Sequence, residues 1–273
     1  MISNQIIQEA LIRLKRSGKN RIFLSEQSQS QLKNVCIADR ANSSAKISNV
    51  IKEQSSDSID QLNALRLSKD SKSENIITLK EALANFFPNE KLLFGNGSLD
   101  PKILFLSEYP NAEELQKNSL CVGKANELMG KIIKAMGVNQ EDVYFTSVVK
   151  SKTLSTTLLQ KGINCPESKG IKVFVEYFKK ELSLVNPSII ISLGELAHSF
   201  LIEQNLEKNE FNPIRGKVLK FEEYPIISTY NPSYLLLKDS LESKRSFWED
   251  LLLAMDELKL EISDKQKNYF KKH

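Results

Sequence analysis

From about residue 76 onward, short all-apolar runs alternate with longer stretches in which apolar residues recur every third or fourth position. The runs Ile103–Leu106, Val143–Val149, Ser188–Leu193, Val218–Phe221 and Pro225–Thr229 read as strands. Between them, Asn126–Met136, Glu167–Leu184 and Glu195–Glu203 read as helices, and Ser240–Leu260 closes the series as a long one. Leu79–Phe87 precedes the series as a short helix ended by Pro88, and Gly95 and Gly97 permit a tight turn. Continuous apolar strands separated by helices predict an α/β fold, a three-layer α/β/α sandwich around a short parallel sheet. In such a sheet, ligands bind beyond the carboxyl ends of the strands. The polar loops Ser107–Asn111, Lys150–Lys152, Gly194–Glu195 and Asn231–Ser233 should therefore converge on one edge.

The stretch 224–238 organises that edge. An apolar strand (Ile226, Ile227) breaks at Asn231-Pro232, because proline lacks a backbone donor and pushes the preceding residue out of helical geometry. Ser233, Tyr234, Leu235 and Leu236 follow the break as a loop leading to the closing helix.

The first 75 residues have another character. Ile6, Ile7, Ala10, Leu11 and Leu14 recur at helical spacing behind a Ser3 cap, so residues 1–25 hold a basic amphipathic helix ending near Gly18. Arg13, Lys15, Arg16, Lys19 and Arg21 stand there against Glu9 alone. A phosphate contact, a solvated helix face and an organellar transit peptide all accommodate this pattern. Residues 26–75 are rich in Ser, Asn, Gln, Lys and Asp, with few large apolar side chains to offset the entropy of ordering. They read as a polar, disordered linker. The domains expected are thus 1–25, 26–75, a globular 76–262 and a charged tail 263–273.

Composition narrows the class without naming a partner. The chain has 273 residues, is 41% hydrophobic and 26% charged, and carries a net charge of +4, too small to argue a ligand by itself. No apolar run reaches membrane-spanning length and no signal-peptide core opens the chain, so no membrane partner and a cytoplasmic location are expected. Cys36, Cys121 and Cys165 are too widely spaced for a disulfide framework or a metal knuckle.

A set of motifs then appears in order: Phe94-Gly-Asn-Gly97, Ile103-Leu-Phe-Leu-Ser-Glu-Tyr-Pro-Asn111, Cys121-Val-Gly-Lys-Ala-Asn-Glu-Leu128, Val143-Tyr-Phe-Thr-Ser-Val-Val-Lys150, Ile189-Ile-Ile-Ser-Leu-Gly194, Ile214-Arg-Gly-Lys217 and Tyr230-Asn-Pro-Ser-Tyr-Leu-Leu236. Together they resemble the uracil-DNA glycosylase superfamily, and most of all its iron–sulfur, thermophile-type branch. The resemblance runs from about Leu92 to Leu258. It implies an enzyme that turns a damaged nucleotide out of the DNA stack and hydrolyses its N-glycosidic bond, as in base excision repair.

Carried over residue by residue, the resemblance makes Glu108 the carboxylate that polarises water and Asn231 the donor to the departing base. Tyr109, Pro110, Cys121 and Ser147 fall at base-binding positions. Lys124, Arg215, Lys217, Ser233, Tyr234, Leu235 and Leu236 fall at DNA-binding ones, the last three as a wedge into the base stack. Several of these depart from the family pattern. Its Gly-Glu-Ala-Pro-Gly is Ser107-Glu-Tyr-Pro-Asn111 here, and its stacking aromatic is Cys121. Its base-reading asparagine is Ser147, and the histidine of its His-Pro-Ser is Asn231. Loss of one such leaving-group donor typically costs roughly 10²–10³ in rate. The branch holds its cluster with four cysteines, two near the N-terminal end and two flanking the third loop; Ser151 stands at one flanking position and the other falls near Phe174, so no metal and no cofactor are expected. Two functions follow: a divergent DNA glycosylase acting on uracil or another damaged base, or a catalytically silent DNA-binding module on the same scaffold. The partner is DNA, single- or double-stranded. A monomer is expected, and residues 1–75 are a candidate contact for a protein partner.

Overall fold

The computed structural model describes residues 59–65, 71–154, 169–199, 201 and 215–270. The basic helix expected in 1–25, most of the linker, and Cys36 and Cys165 lie outside the described residues.

The strands are β1 (Asn96–Gly97), β2 (Ile103–Ser107), β3 (Val143–Ser147), β4 (Ile189–Leu193), β5 (Val218–Phe221) and β6 (Tyr224–Thr229). They form one six-stranded sheet in the order β1-β3-β2-β4-β6-β5. β3, β2, β4 and β6 run parallel, as the apolar runs predict, while β1 and β5 add antiparallel edges. Asn96–Gly97, which the glycine spacing places in a turn, is the short edge strand β1. Gly97 has φ +126°, and a Cβ there would run into the Val143 carbonyl oxygen, so only glycine lets β1 lie this close to β3.

Strand alternation sends Ile103, Phe105, Val143, Ile189, Ile191 and Ile227 to one face. Helices α3 (Gly123–Met136) and α7 (Leu241–Glu257) cover it with Met129, Ile133, Phe247, Leu251 and Met255. The opposite face carries Tyr144 and Thr146, which meet α4 (Lys169–Val185) through Glu181. α4 in turn stacks Phe174 on Phe87, just past α1 (Lys72–Phe86). This is the expected three-layer arrangement.

Boundaries differ where capping decides them. α1 begins at Lys72, inside the stretch whose composition predicts a linker, because the Ser71 side chain accepts from the Glu74 backbone N–H. α2 (Ala112–Lys117) falls where no helix is expected; Asn111 and Glu114 form a reciprocal capping box that starts it. After β4 comes the short α5 (Glu195–Ser199). At the carboxyl end, α8 (Asp264–Lys267) is capped by Ser263 and ties back to the body of the domain. The Trp248 indole N–H donates to the Gln266 carbonyl at 2.7 Å, and Gln266 Nε2 donates to the Ala135 carbonyl at 2.8 Å.

Candidate active site

The carboxyl ends of β2, β3, β4 and β6 open into a pocket of about 290 Å³. Its walls are apolar (Phe105, Leu120, Met129, Phe145, Leu193), and Ser107, Glu108, Tyr109, Cys121, Asn231 and Ser233 enter from the loops. The parallel registers account for the convergence, because they bring Ser107 level with Ser147 and Leu193 level with Thr229.

Glu108 leaves β2 and turns its carboxylate toward Gly194, at the end of β4. Gly194 has φ +101°, and a Cβ there would run into Glu108 Oε1 and lie 3.7 Å from the Asn231 Cβ. Glu108 and Asn231 thus both border a stretch of backbone that only glycine can supply. Burial pushes the Glu108 carboxyl up to about 7; a hydrogen bond from the Leu196 backbone N–H opposes that rise, and the nearby Glu195 charge adds to it. A Gly194→Ala change should displace the Glu108 carboxylate and strain the turn. Turnover should fall at least tenfold while Pro225–Thr229 and its neighbours stay folded. Single-turnover kinetics beside a melting curve checks this, and wild-type turnover in the variant would remove Gly194 from the site.

Asn231 is the N-cap of a helix that stands where the sequence predicts a loop. Helix α6 (Pro232–Lys238) has proline at its first position, and Asn231 Oδ1 accepts from the Ser233 backbone N–H at 2.9 Å. The cap occupies the amide oxygen and leaves the Nδ2 donor group for the pocket.

Helical geometry also corrects the expected wedge. Leu235 points inward, 3% exposed within the core, whereas Tyr234, Leu236 and Leu237 are on the outside, Leu237 at 84%. An i, i+4 periodicity applied to residues 232–238 separates Leu235 from its neighbours.

Ser147 and Arg215 also depart from their expected places. Ser147 is fully buried and does not line the pocket, and its hydroxyl has no hydrogen-bond partner among the described residues. Arg215, expected at a phosphate, donates from Nε and Nη2 to Asp250 Oδ2 at 3.0 and 2.7 Å. Its guanidinium lies 4.2 Å over the Tyr230 ring, and that ring stacks on Tyr234. Arg215 therefore braces the start of α6 from α7. Lys124, Lys217 and Ser233 are exposed, Pro110 is buried beside the Glu108 loop, and Lys150, expected on a polar surface loop, is fully buried against Glu181. Cys121 has φ +54°, and burial with the adjacent Glu114 charge pushes its thiol up to about 12. A thiol held neutral in this way is a poor nucleophile at ordinary pH.

Two of the positions at which the resemblance implies cluster ligands, those flanking the third loop, do not fit such a group. Ser151 donates to Glu90 Oε2 at 2.7 Å and accepts from the Leu154 backbone N–H, and Phe174 is a buried ring stacked on Phe87 at 5.1 Å. A neutral hydroxyl and a phenyl ring supply no thiolate. His198, the one described histidine, does not line the pocket. It is fully buried with Nδ1 2.6 Å from Ser228 Oγ, and burial lowers its ring to about 4, so it is neutral.

A largely parallel α/β sheet thus carries a half-buried glutamate and an amide beside a glycine turn at its carboxyl edge. Residues 94–252 match the model of the Uracil DNA glycosylase superfamily, and the chain belongs to that superfamily. It is 29% identical over 171 residues to a type-4 uracil-DNA glycosylase of Thermotoga maritima, covering 62% of this chain and 84% of that protein. It is 26% identical over 155 residues to the type-4 enzyme of Archaeoglobus fulgidus, covering 55% and 74%. A DNA polymerase of Bacillus phage SP01 matches at 30% over 149 residues, 54% of this chain and 15% of that protein. No helix among the described residues is long and apolar enough to cross a membrane.

Proposed function

We propose that the chain is a divergent DNA glycosylase that hydrolyses the N-glycosidic bond of uracil or another damaged base, a step of base excision repair. The observation that carries this reading is that Glu108 and Asn231 line one apolar pocket on either side of Gly194, on a scaffold whose relatives are named uracil-DNA glycosylases. Glycosidic cleavage builds positive charge on the sugar and negative charge on the departing base. The Glu108 carboxylate serves the first, by polarising a water and by its own charge, and the Asn231 Nδ2 donor serves the second. The exposed Tyr234, Leu236 and Leu237 on α6 enter the base stack, and Lys124, Lys217 and Ser233 meet phosphates as a monomer binds DNA.

Because Glu108 acts as the carboxylate and titrates near 7, the rate below that value should rise about tenfold per pH unit and level off above it. Single-turnover rates between pH 5.5 and 9 test the sign. A rate that falls as pH rises would make Glu108 an acid, not a base.

The decisive experiment is strand cleavage. Purified full-length protein meets oligonucleotides carrying uracil, hypoxanthine or xanthine, single- and double-stranded, and alkali then reveals abasic sites. Alkali-labile breaks at one of these bases establish the enzyme and its substrate. The second reading, a silent DNA-binding module, is favoured by the withdrawn Ser147 and the capping duty of Asn231. It predicts no breaks at enzyme excess, together with DNA binding that weakens steeply with salt.

A further inference from the structure

We propose that Phe145 is the stacking surface for the base in the pocket, in place of the aromatic side chain that position 121 does not provide. The proposal rests on the glycosylase reading for the kind of base, and on the pocket itself for the contact.

Three aromatic rings line the pocket: Phe105, Tyr109 and Phe145. Phe105 is fully buried, and Phe145 lies nearly parallel to it, centroids 5.2 Å apart and planes 17° from coplanar. One face of Phe145 is therefore backed by a ring in the core, while Phe145 itself is half-buried at the wall of the cavity. The pair is held on the central strands, with Phe105 opposite Phe145 across β2 and β3 and Asn96 opposite it across β1. A ring fixed by strand register and backed by a second ring offers a flat surface with little ordering left to lose on binding. Tyr109, in contrast, leaves the sheet on the loop before α2 and has no ring behind it among the described residues. Cys121 lines the same cavity but presents a neutral thiol, which lacks a π face. Strand alternation also sets Ser147 on the same face as Phe145, two residues further along β3.

Stacking of a base on an aromatic ring is sequence-tolerant and typically contributes about 1–3 kcal/mol per base, or roughly 5- to 150-fold in affinity. A base held by Phe145 is thus gripped through its face rather than read through its edge, and the pocket should accept more than one base.

The test uses the full chain and a single-stranded oligonucleotide carrying one 2′-fluoro-2′-deoxyuridine, whose fluorine disfavours the positively charged sugar and blocks hydrolysis. The reference is the same strand with a tetrahydrofuran abasic analogue at that place, which has no base to stack. Phe145→Met keeps an apolar side chain of similar reach without a ring, and Phe145→Tyr keeps the ring. Wild type and Phe145→Tyr should bind the fluorinated strand more tightly than the reference, and Phe145→Met should lose roughly 5- to 150-fold of that preference. Its melting temperature, measured alongside, shows that the fold persists. Should Phe145→Met destabilise the chain, Phe145→Leu at lower temperature serves the same comparison. A wild-type chain with no preference for the fluorinated strand, or a folded Phe145→Met that keeps the preference, overturns the proposal. Binding is read without turnover, so a chain that shows the preference yet cleaves nothing would end the glycosylase reading and leave the stacking contact standing.

Discussion

Glu108→Gln should lower single-turnover base release by roughly 10²–10⁴, the span that a positioned acid–base group contributes. The substitution keeps the shape of the side chain. Its amide oxygen can still accept the Leu196 backbone N–H that now reaches the carboxylate. What it removes is the negative charge and the ability to take a proton from water. The carboxylate sits in a pocket with apolar walls, where a charge is little screened. DNA affinity should change little, because the exposed groups on α6 are untouched, so the loss falls on the chemical step. Rates under enzyme excess, with DNA binding measured in parallel, make the separation. Wild-type rates in Glu108→Gln would remove the carboxylate from the mechanism and move the reading toward the silent module.

Glu181→Leu should destabilise the domain by about 3–5 kcal/mol, the usual result of removing one member of a buried ion pair. Lys150 and Glu181 are both wholly buried, with Nζ and Oε2 2.8 Å apart. Glu181 also accepts from the Tyr144 hydroxyl at 3.0 Å and the Thr146 hydroxyl at 2.9 Å, so it satisfies donors from β3 and the loop beyond it. Burial pulls the Lys150 ammonium below its ordinary value while Glu181 opposes that shift. Leucine would leave the Tyr144 and Thr146 hydroxyls without this acceptor and the Lys150 ammonium with the Thr146 hydroxyl oxygen in place of a carboxylate. Chemical denaturation at pH 7 measures the loss, and the double change Lys150→Met with Glu181→Leu should recover most of it, because the uncompensated charge is gone. A single variant that costs less than about 1 kcal/mol would show that water or rearrangement satisfies Lys150. The pair lies under β3, on the face opposite Phe145, so the same strand that anchors α4 also sets the pocket wall.

Much of this protein is legible in its amino-acid order. Continuous apolar runs and helical stretches at period 3.6 locate β2, β3, β4, β6, α3 and α7, because a strand buried on both faces and a helix buried on one leave different marks on a sequence. Pro232 and Gly137 mark where the chain must turn, since one lacks a donor and the other takes a positive φ. The order of motifs locates the pocket loops, and Glu108, Tyr109, Cys121, Asn231 and Ser233 do line one cavity.

Tertiary structure decided the rest, for a common physical reason: each case depends on what a side chain meets across space. Lys150 and Arg215 look like free surface cations in sequence, yet Glu181 lies 31 residues from the first and Asp250 lies 35 from the second. Asn231 looks like a loop amide, but its oxygen caps α6, and that helix turns Leu235 into the core and Leu237 into solvent. Phe145 looks like one more strand residue until Phe105, on a neighbouring strand, backs its ring at the pocket wall. Local pattern determined where strands and helices run, because it records which positions face water. Partnerships between distant charges and rings leave no periodic trace, so only the folded chain could assign them.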